Sequence, residues 1–169
     1  GYRLVAGYHR LEACKALDWL EIEACVVDLN DLEAELAEID ENLIRNELSK
    51  LERADLNDQR IQILLSIHPD TQTKAGRPTG NCPTVGQLIA ETAKDTKQSR
   101  ASIYGDLQIA RNIAPDVKET IRDTPVADST TDLLTIARQP VEVQREIAVK
   151  VASGDTVREA MTAKRRSER

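Results

Sequence analysis

Two short clusters about thirty residues apart hold side chains that could do chemistry. The first is Gly7-Tyr8-His9-Arg10, which runs straight into the helical pattern Leu11-Glu12-Ala13-Cys14-Lys15-Ala16-Leu17. A glycine at a strand-to-helix turn, with His and Arg in the first helical turn, suits a phosphate. The N–H groups there lack intrahelical partners, and the helix dipole turns its positive end toward the anion. The second cluster is Glu41-Asn42-Leu43-Ile44-Arg45. Its Glu-Asn pair can hold a divalent cation while the Arg takes a second phosphate oxygen. Gly7, His9, Arg10 and Arg45 are therefore the anion candidates, and Glu41 and Asn42 the metal candidates. Each has a plainer role open to it. Arg10 and Arg45 can pair with the acidic residues around them, His9 can line a helix start, and Glu41-Asn42 can simply end a helix.

A third cluster lies downstream. Residues 84–94 place Val85, Leu88, Ile89 and Ala93 at helical spacing, a polar turn follows at Asp95-Thr96-Lys97-Gln98, and Ser99 reads as the N-cap of the next helix. That helix puts Ile103, Leu107 and Ala110 on one side. Gln98, Ser99, Arg100, Ala101, Ser102 and Tyr104 gather at its N-terminal end, with Lys97 in the turn. A helix-turn-helix at 84–112 needs this division: an apolar face fixing the interhelical angle, and short polar or basic side chains reaching base edges. Lys94, Lys97, Arg100 and Arg111 are the phosphate candidates. Two ordinary packed helices would look similar.

The elements that must position these residues can be read from period and caps. Residues 2–6 and 22–28 alternate and are rich in β-branched side chains, which predicts two strands. Between them 8–18 reads as a helix with Leu11, Cys14 and Leu17 on one face, so the Gly7 turn falls at the C-terminal end of a strand, where α/β folds bind ligands. Asn30 with Glu33, and Ser49 with Glu52, read as capping boxes opening helices to about Leu43 and Ile67. In the second, Leu51, Ala54, Ile61 and Leu64 point inward. Residues 68–83 lose all apolar period and carry Gly76-Arg77-Pro78, Gly80 and Pro83. They read as a linker between a first domain at 1–67 and a helical domain at 84–169. From Thr84 onward the pattern is helical, in segments near 84–94, 99–112, 115–123, 129–138, 140–152 and 156–166. The expected fold class is α+β, mostly helical: a partial α/β domain followed by an all-α one.

The chain has 169 residues, no Phe, one Trp and three Tyr, so aliphatics must build its core. That scarcity argues against an RNA-binding sheet that stacks bases on aromatic rings. No apolar run reaches the length of a membrane span, and no signal peptide is visible. The chain opens without Met in an expected strand, which predicts that the N-terminal part of the first domain is missing. Cys14, Cys25 and Cys82 form no C-x-x-C pair, which argues against a zinc site or disulfide framework and fits a reducing cytoplasm. Cys14 and Cys25 sit in apolar patterns and are expected to be buried. Residues 1–60 hold 7 Lys and Arg against 15 Asp and Glu, whereas 61–169 hold 16 against 14. Nucleic acid would be met by the second half, with the basic tail Lys164, Arg165, Arg166 and Arg169 as a weak addition.

In this order the motifs resemble the ParB family of partition proteins, whose N-terminal fold is shared with sulfiredoxins. The family's first box, G-E-R-R-x-R-A, is similar to Gly7-Tyr8-His9-Arg10-Leu11-Glu12-Ala13 at Gly7, Arg10 and Ala13. Its second box, E-N-x-x-R-x-x-L, is matched by Glu41, Asn42, Arg45 and Leu48. The likeness covers about residues 1–113. It implies a ParB/sulfiredoxin-like domain that binds CTP or ATP through Gly7, His9, Arg10 and Arg45, with Mg²⁺ at Glu41 and Asn42. It further implies duplex DNA as partner to the helix-turn-helix, a homodimer, a ParA-type ATPase partner, no membrane, and a place on the nucleoid or a plasmid in the cytoplasm. Tyr8, His9 and Glu12 stand where the family has Glu, Arg and Arg, so the pocket carries less positive charge. The same residues resemble the sulfiredoxin motif G-C-H-R. Tyr8 replaces its nucleophilic Cys, and a phenol cannot do that thiolate's work, so sulfiredoxin activity is not expected. The rival from another class is an enzyme on this fold: a nucleotide hydrolase, a kinase or a nuclease.

Overall fold

Reciprocal capping boxes start four of the described helices, the last at Thr156 and Glu159, and fix where they begin. Asn30 and Glu33 exchange hydrogen bonds of 2.9 and 3.0 Å, Ser49 and Glu52 of 3.0 and 3.2 Å, and Thr84 and Gln87 of 2.7 and 3.3 Å. Each satisfies two helix N-terminal donors that would otherwise lack partners. The computed structural model describes residues 2–44, 47–69, 71 and 83–167, with side chains as far as residue 163 in the last helix. Among them lie α1 (Tyr8–Ala16), α2 (Asp31–Leu43), α3 (Lys50–Ile67), α4 (Val85–Asp95), α5 (Arg100–Asn112), α6 (Pro115–Ile121), a short 3-10 turn (Pro125–Asp128), α7 (Thr130–Ala137), α8 (Val141–Ala152) and α9 (Val157–Ser167).

α3 is the spine. Its stripe at Ile61 and Leu64 packs with Leu88, Ile89 and Ala93 of α4 and Ile103 and Leu107 of α5. Its N-terminal half, at Leu51 and Ala54, enters a second cluster with Ile109 of α5, Val117 and Ile121 of α6, Leu133 and Ile136 of α7, and Ile147 of α8. α5 therefore spans both clusters, its first half in one and its last residues in the other. Leu51, Ala54, Ile61 and Leu64 are the four positions expected to face inward, and all are buried.

Polar side chains lock the seams between helices. Gln144 of α8, 1 % exposed, accepts the Ala114 N–H at 3.0 Å and donates to the carbonyls of Asn112 and Gln139 at 2.7 and 3.0 Å. It closes the junction between α5 and α6, so that both its amide atoms are satisfied where water is excluded. Lys118 of α6 reaches back to the Asp55 carboxylate on α3 and donates to the Ala110 carbonyl at 2.7 Å.

The N-terminal expectation is corrected. Residues 2–6 and 22–28 form no strands, and no strand lies elsewhere among the described residues. The α/β half of the expected fold class is therefore not seen, while its mostly helical character is. Alternation sets which face a strand buries, but a strand also needs neighbours for its N–H and C=O groups, and a lone pair of strands is marginal. Leu4, Val26 and Val27 are 50 %, 65 % and 58 % exposed, so nothing described here covers that face. α1 buries none of its residues. Leu17, expected on its inner face, is exposed. Cys14 is half-buried and Cys25 exposed, so the expectation of buried thiols fails for the same want of a partner layer. Most of the linker, Cys82, Arg45 and Arg169 lie outside the described residues, as do the side chains of Lys164, Arg165 and Arg166.

Candidate nucleic-acid interface

α4 ends in a left-handed residue that turns the chain sharply into α5. Lys97 has φ +55°. The Gln98 N–H donates to the Ala93 carbonyl at 2.8 Å and the Lys97 N–H to that of Lys94 at 3.2 Å. These are the paired bonds of a Schellman ending, built here on Lys rather than the usual Gly. The Thr96 hydroxyl adds a bond of 2.7 Å to the Thr92 carbonyl. Ser99 then caps α5, its Oγ accepting the Ser102 N–H at 3.1 Å. The Ser102 hydroxyl donates to Gln98 Oε1 at 3.1 Å. Ile103 and Leu107 are buried against α3 and α4, which fixes the angle at which α5 leaves the turn.

This geometry places the expected reading residues together at one end of α5. Lys97, Ser99, Arg100, Ser102 and Tyr104 are exposed, and Gln98 is half-buried. Arg100 is the first residue of α5, and Tyr104, 55 % exposed, lies one turn later on the same face. Arg100 makes no hydrogen bond or ion pair among the described residues, so its fork of donors is available. Ser99 and Ser102 carry structural bonds as well, which leaves Arg100, Tyr104, Lys97 and the Gln98 amide nitrogen as the groups best able to reach outward. Lys94 is exposed at the end of α4. Arg111, also exposed, commits its Nε to Asp58 at 2.7 Å, tying α5 to α3.

The N-terminal candidates are arranged differently. Gly7 adopts φ +86° at the start of α1 with no side chain capping the helix, but no strand leads into it. A Cβ at Gly7 would stand 3.4 Å from Arg10 Nη2, so the guanidinium lies back over the turn, while the rings of Tyr8 and His9 meet edge to face at 5.7 Å. Such donors fit a phosphate in kind. Glu12 opposes them with a carboxylate already paired with Lys15 at 2.7 Å. Glu41 and Asn42 lie half-buried in the last turn of α2. The negative end of the helix dipole favours a cation there. α2 packs on α3, however, and α1 packs extensively on no other helix, so the two half-sites stand on separate elements. No group of three or more His, Cys, Asp or Glu among the described residues is placed to hold a metal.

The sequence reading missed the buried polar residues behind this surface. Arg60 of α3 is 3 % exposed and bonds α2 and α4 at once. Asn57, fully buried, donates from Nδ2 to Asp106 Oδ2 of α5 at 2.7 Å. Burial pushes the Asp106 carboxyl above its ordinary value, against the Asn57 hydrogen bond and the nearby Arg53 and Lys50 charges, which lower it. A signal for both was present. Asn57 and Arg60 share the helical period of Ala54, Ile61 and Leu64, and a polar residue on that stripe must have a partner inside.

No protein-family model matches the chain. Among curated proteins, it is 35 % identical over 79 residues to the nucleoid occlusion proteins of Bacillus licheniformis and Bacillus subtilis, covering 47 % of this chain and 26 % of each relative. To the nucleoid occlusion protein of Lysinibacillus sphaericus it is 37 % identical over 79 residues, 25 % of that relative's length. The aligned part thus spans about a quarter of the curated relatives. No helix among the described residues is long and apolar enough to cross a membrane.

Proposed function

We propose that this chain carries the duplex-reading portion of a ParB-like, nucleoid-associated DNA-binding protein, with α4 and α5 acting as a helix-turn-helix. The observation that carries the reading is the turn from α4 to α5. It is fixed by two backbone bonds and a Ser cap, and it leaves Arg100 and Tyr104 exposed on the N-terminal turns of a helix whose other face is anchored in the core. In such a pair the second helix lies in the major groove. Its N-terminal side chains meet base edges, and flanking cations meet phosphates. Arg100 suits bidentate contact with guanine, and Tyr104 suits stacking or hydrogen bonding at the groove edge. Lys94 and Lys97 suit phosphates. The identity to nucleoid occlusion proteins supports the same direction. One recognition helix covers only a half-site, so the reading includes a homodimer on a two-fold operator. A ParA-type ATPase is the protein partner the resemblance suggests.

The test is selection of a bound duplex from a randomised pool, followed by gel shift with Arg100→Ala and Tyr104→Ala. Losing a bidentate base contact costs about 1–3 kcal/mol and relaxes preference at one position. If neither variant alters affinity or sequence preference, the helix-turn-helix assignment is wrong.

A nucleotide switch is the second part of the proposal. His9 and Arg10, with Gly7 opening the turn, would take the phosphates of CTP or ATP together with Arg45, and Glu41 and Asn42 would hold Mg²⁺. The ion would neutralise phosphate charge. Calorimetry against each nucleotide with Mg²⁺ tests this, with Glu41→Ala expected to abolish the heat of binding. Turnover that vanishes in the same variant would mark an enzyme instead of a switch.

A further inference from the structure

We infer that Arg60 is a positioning residue for base reading: it ties the end of α4, and hence the aim of α5, to the last turn of α2. The inference rests on the duplex-reading proposal above. Arg60 sits on the buried stripe of α3, where an unpaired guanidinium is strongly disfavoured. All three of its nitrogens find partners. Nε donates to Asp40 Oδ1 at 2.7 Å, Nη1 to Thr92 Oγ1 at 2.6 Å, and Nη2 to Asp95 Oδ2 at 2.7 Å. The three acceptors are met by three separate nitrogens of a planar fork, an arrangement the single ammonium of Lys does not reproduce.

The acceptors are informative in themselves. Asp40 and Asp95 both occupy the last turn of a helix, where the dipole disfavours a carboxylate, and α2 has no basic residue of its own there. Arg60 supplies the missing positive charge to the end of α2 and adds to that of Lys94 at the end of α4. Asp95 is followed directly by Thr96 and the left-handed Lys97, the two residues that turn the chain into α5. Thr92, bonded through its hydroxyl to Arg60, accepts the Thr96 hydroxyl on its carbonyl. The guanidinium therefore braces the turn at two points. Asp40, on the other side, immediately precedes Glu41 and Asn42. Arg60 makes the aim of the reading helix depend on where that segment of α2 lies.

The test uses the 169-residue chain, a duplex selected by it, and an unrelated duplex of equal length. Asp95→Ala and Asp40→Ala each remove one acceptor that is partly exposed, so both variants are expected to fold and to melt within a few degrees of the parent. The expected result is a drop of about tenfold in the ratio of specific to unspecific affinity in each, with affinity for the unrelated duplex unchanged. A purely structural role would lower melting temperature and leave that ratio alone. Arg100→Ala is the control. If it collapses the ratio while Asp95→Ala does not, the positioning role is overturned and duplex reading stands. If Asp95→Ala lowers the ratio and Asp40→Ala does not, the dependence on α2 is overturned. If Arg100→Ala and Tyr104→Ala leave the ratio unchanged, duplex reading itself fails, and this inference fails with it.

Discussion

Replacing Asp106 by Asn should stabilise the protein at neutral pH, which is unusual for a buried charged residue with a hydrogen-bond partner. Asp106 accepts from Asn57 Nδ2 at 2.7 Å, but Asn57 Oδ1, buried in the same seam, has no donor. An Asn at 106 offers both an acceptor to Asn57 Nδ2 and a donor to Asn57 Oδ1, closing a reciprocal amide pair between α3 and α5. Leaving a buried acceptor without a donor costs about 1–3 kcal/mol, and the substitution removes that penalty together with a buried carboxylate. Against this stands the lost attraction of Arg53, half-buried, and Lys50, exposed, worth about 0–1 kcal/mol because solvent reaches both cations. The net expectation is about 1–2 kcal/mol at pH 7, which for a chain of this size raises the melting temperature by roughly 2–8 °C.

The pH dependence checks the cause. The folded-state value of Asp106 is raised, so its contribution to stability is fully present below its unfolded value, about pH 4, and is lost as pH rises through the folded value. A protonated Asp106 can itself donate to Asn57 Oδ1. The advantage of Asp106→Asn should therefore be largest at neutral pH and shrink toward pH 4, as read by thermal melts followed by circular dichroism. A variant that melts below the parent at pH 7 would refute the reasoning, because the carboxylate would then be held by Arg53 and Lys50 more strongly than burial opposes it.

Other substitutions separate stability from binding. Gly105, in the interior of α5, has open space where a Cβ would stand, so Gly105→Ala should stabilise by about 0.5–1 kcal/mol in a denaturant titration. Lys97→Gly should relieve about 1 kcal/mol of left-handed strain while lowering the salt dependence of duplex binding by about one phosphate contact. Gln144→Ala would orphan the Ala114 N–H and two carbonyls at the junction of α5 and α6, costing about 3 kcal/mol in chemical unfolding.

The local signals for helices were strong because they are carried by neighbours in sequence. Asn30 with Glu33 and Ser49 with Glu52 cap the helices they were expected to cap, and Ser99 caps α5. The apolar stripes of α3, α4 and α5 named the core, since a helix satisfies its own backbone and needs only one face covered. Residues 2–6 and 22–28 alternate without forming strands because a strand is defined by its partner, and alternation in one segment says nothing of whether that partner is there. Arg60 escaped notice for the opposite reason. Its partners lie 20, 32 and 35 positions away, on helices whose packing no local pattern reports. The N-terminal half-sites were legible as chemistry, through Gly7 and its positive φ, but their distribution over α1 and α2 depends on packing rather than on spacing.

The most direct measurement is the affinity of the chain for a duplex it has itself selected, compared with a scrambled duplex of the same composition across a salt series. Duplex reading through α5 predicts a specificity ratio on the order of 10³ that Arg100→Ala sharply reduces, alongside a salt-dependent affinity common to both duplexes. Equal affinity for the two duplexes at every salt concentration, or none for either, would contradict it.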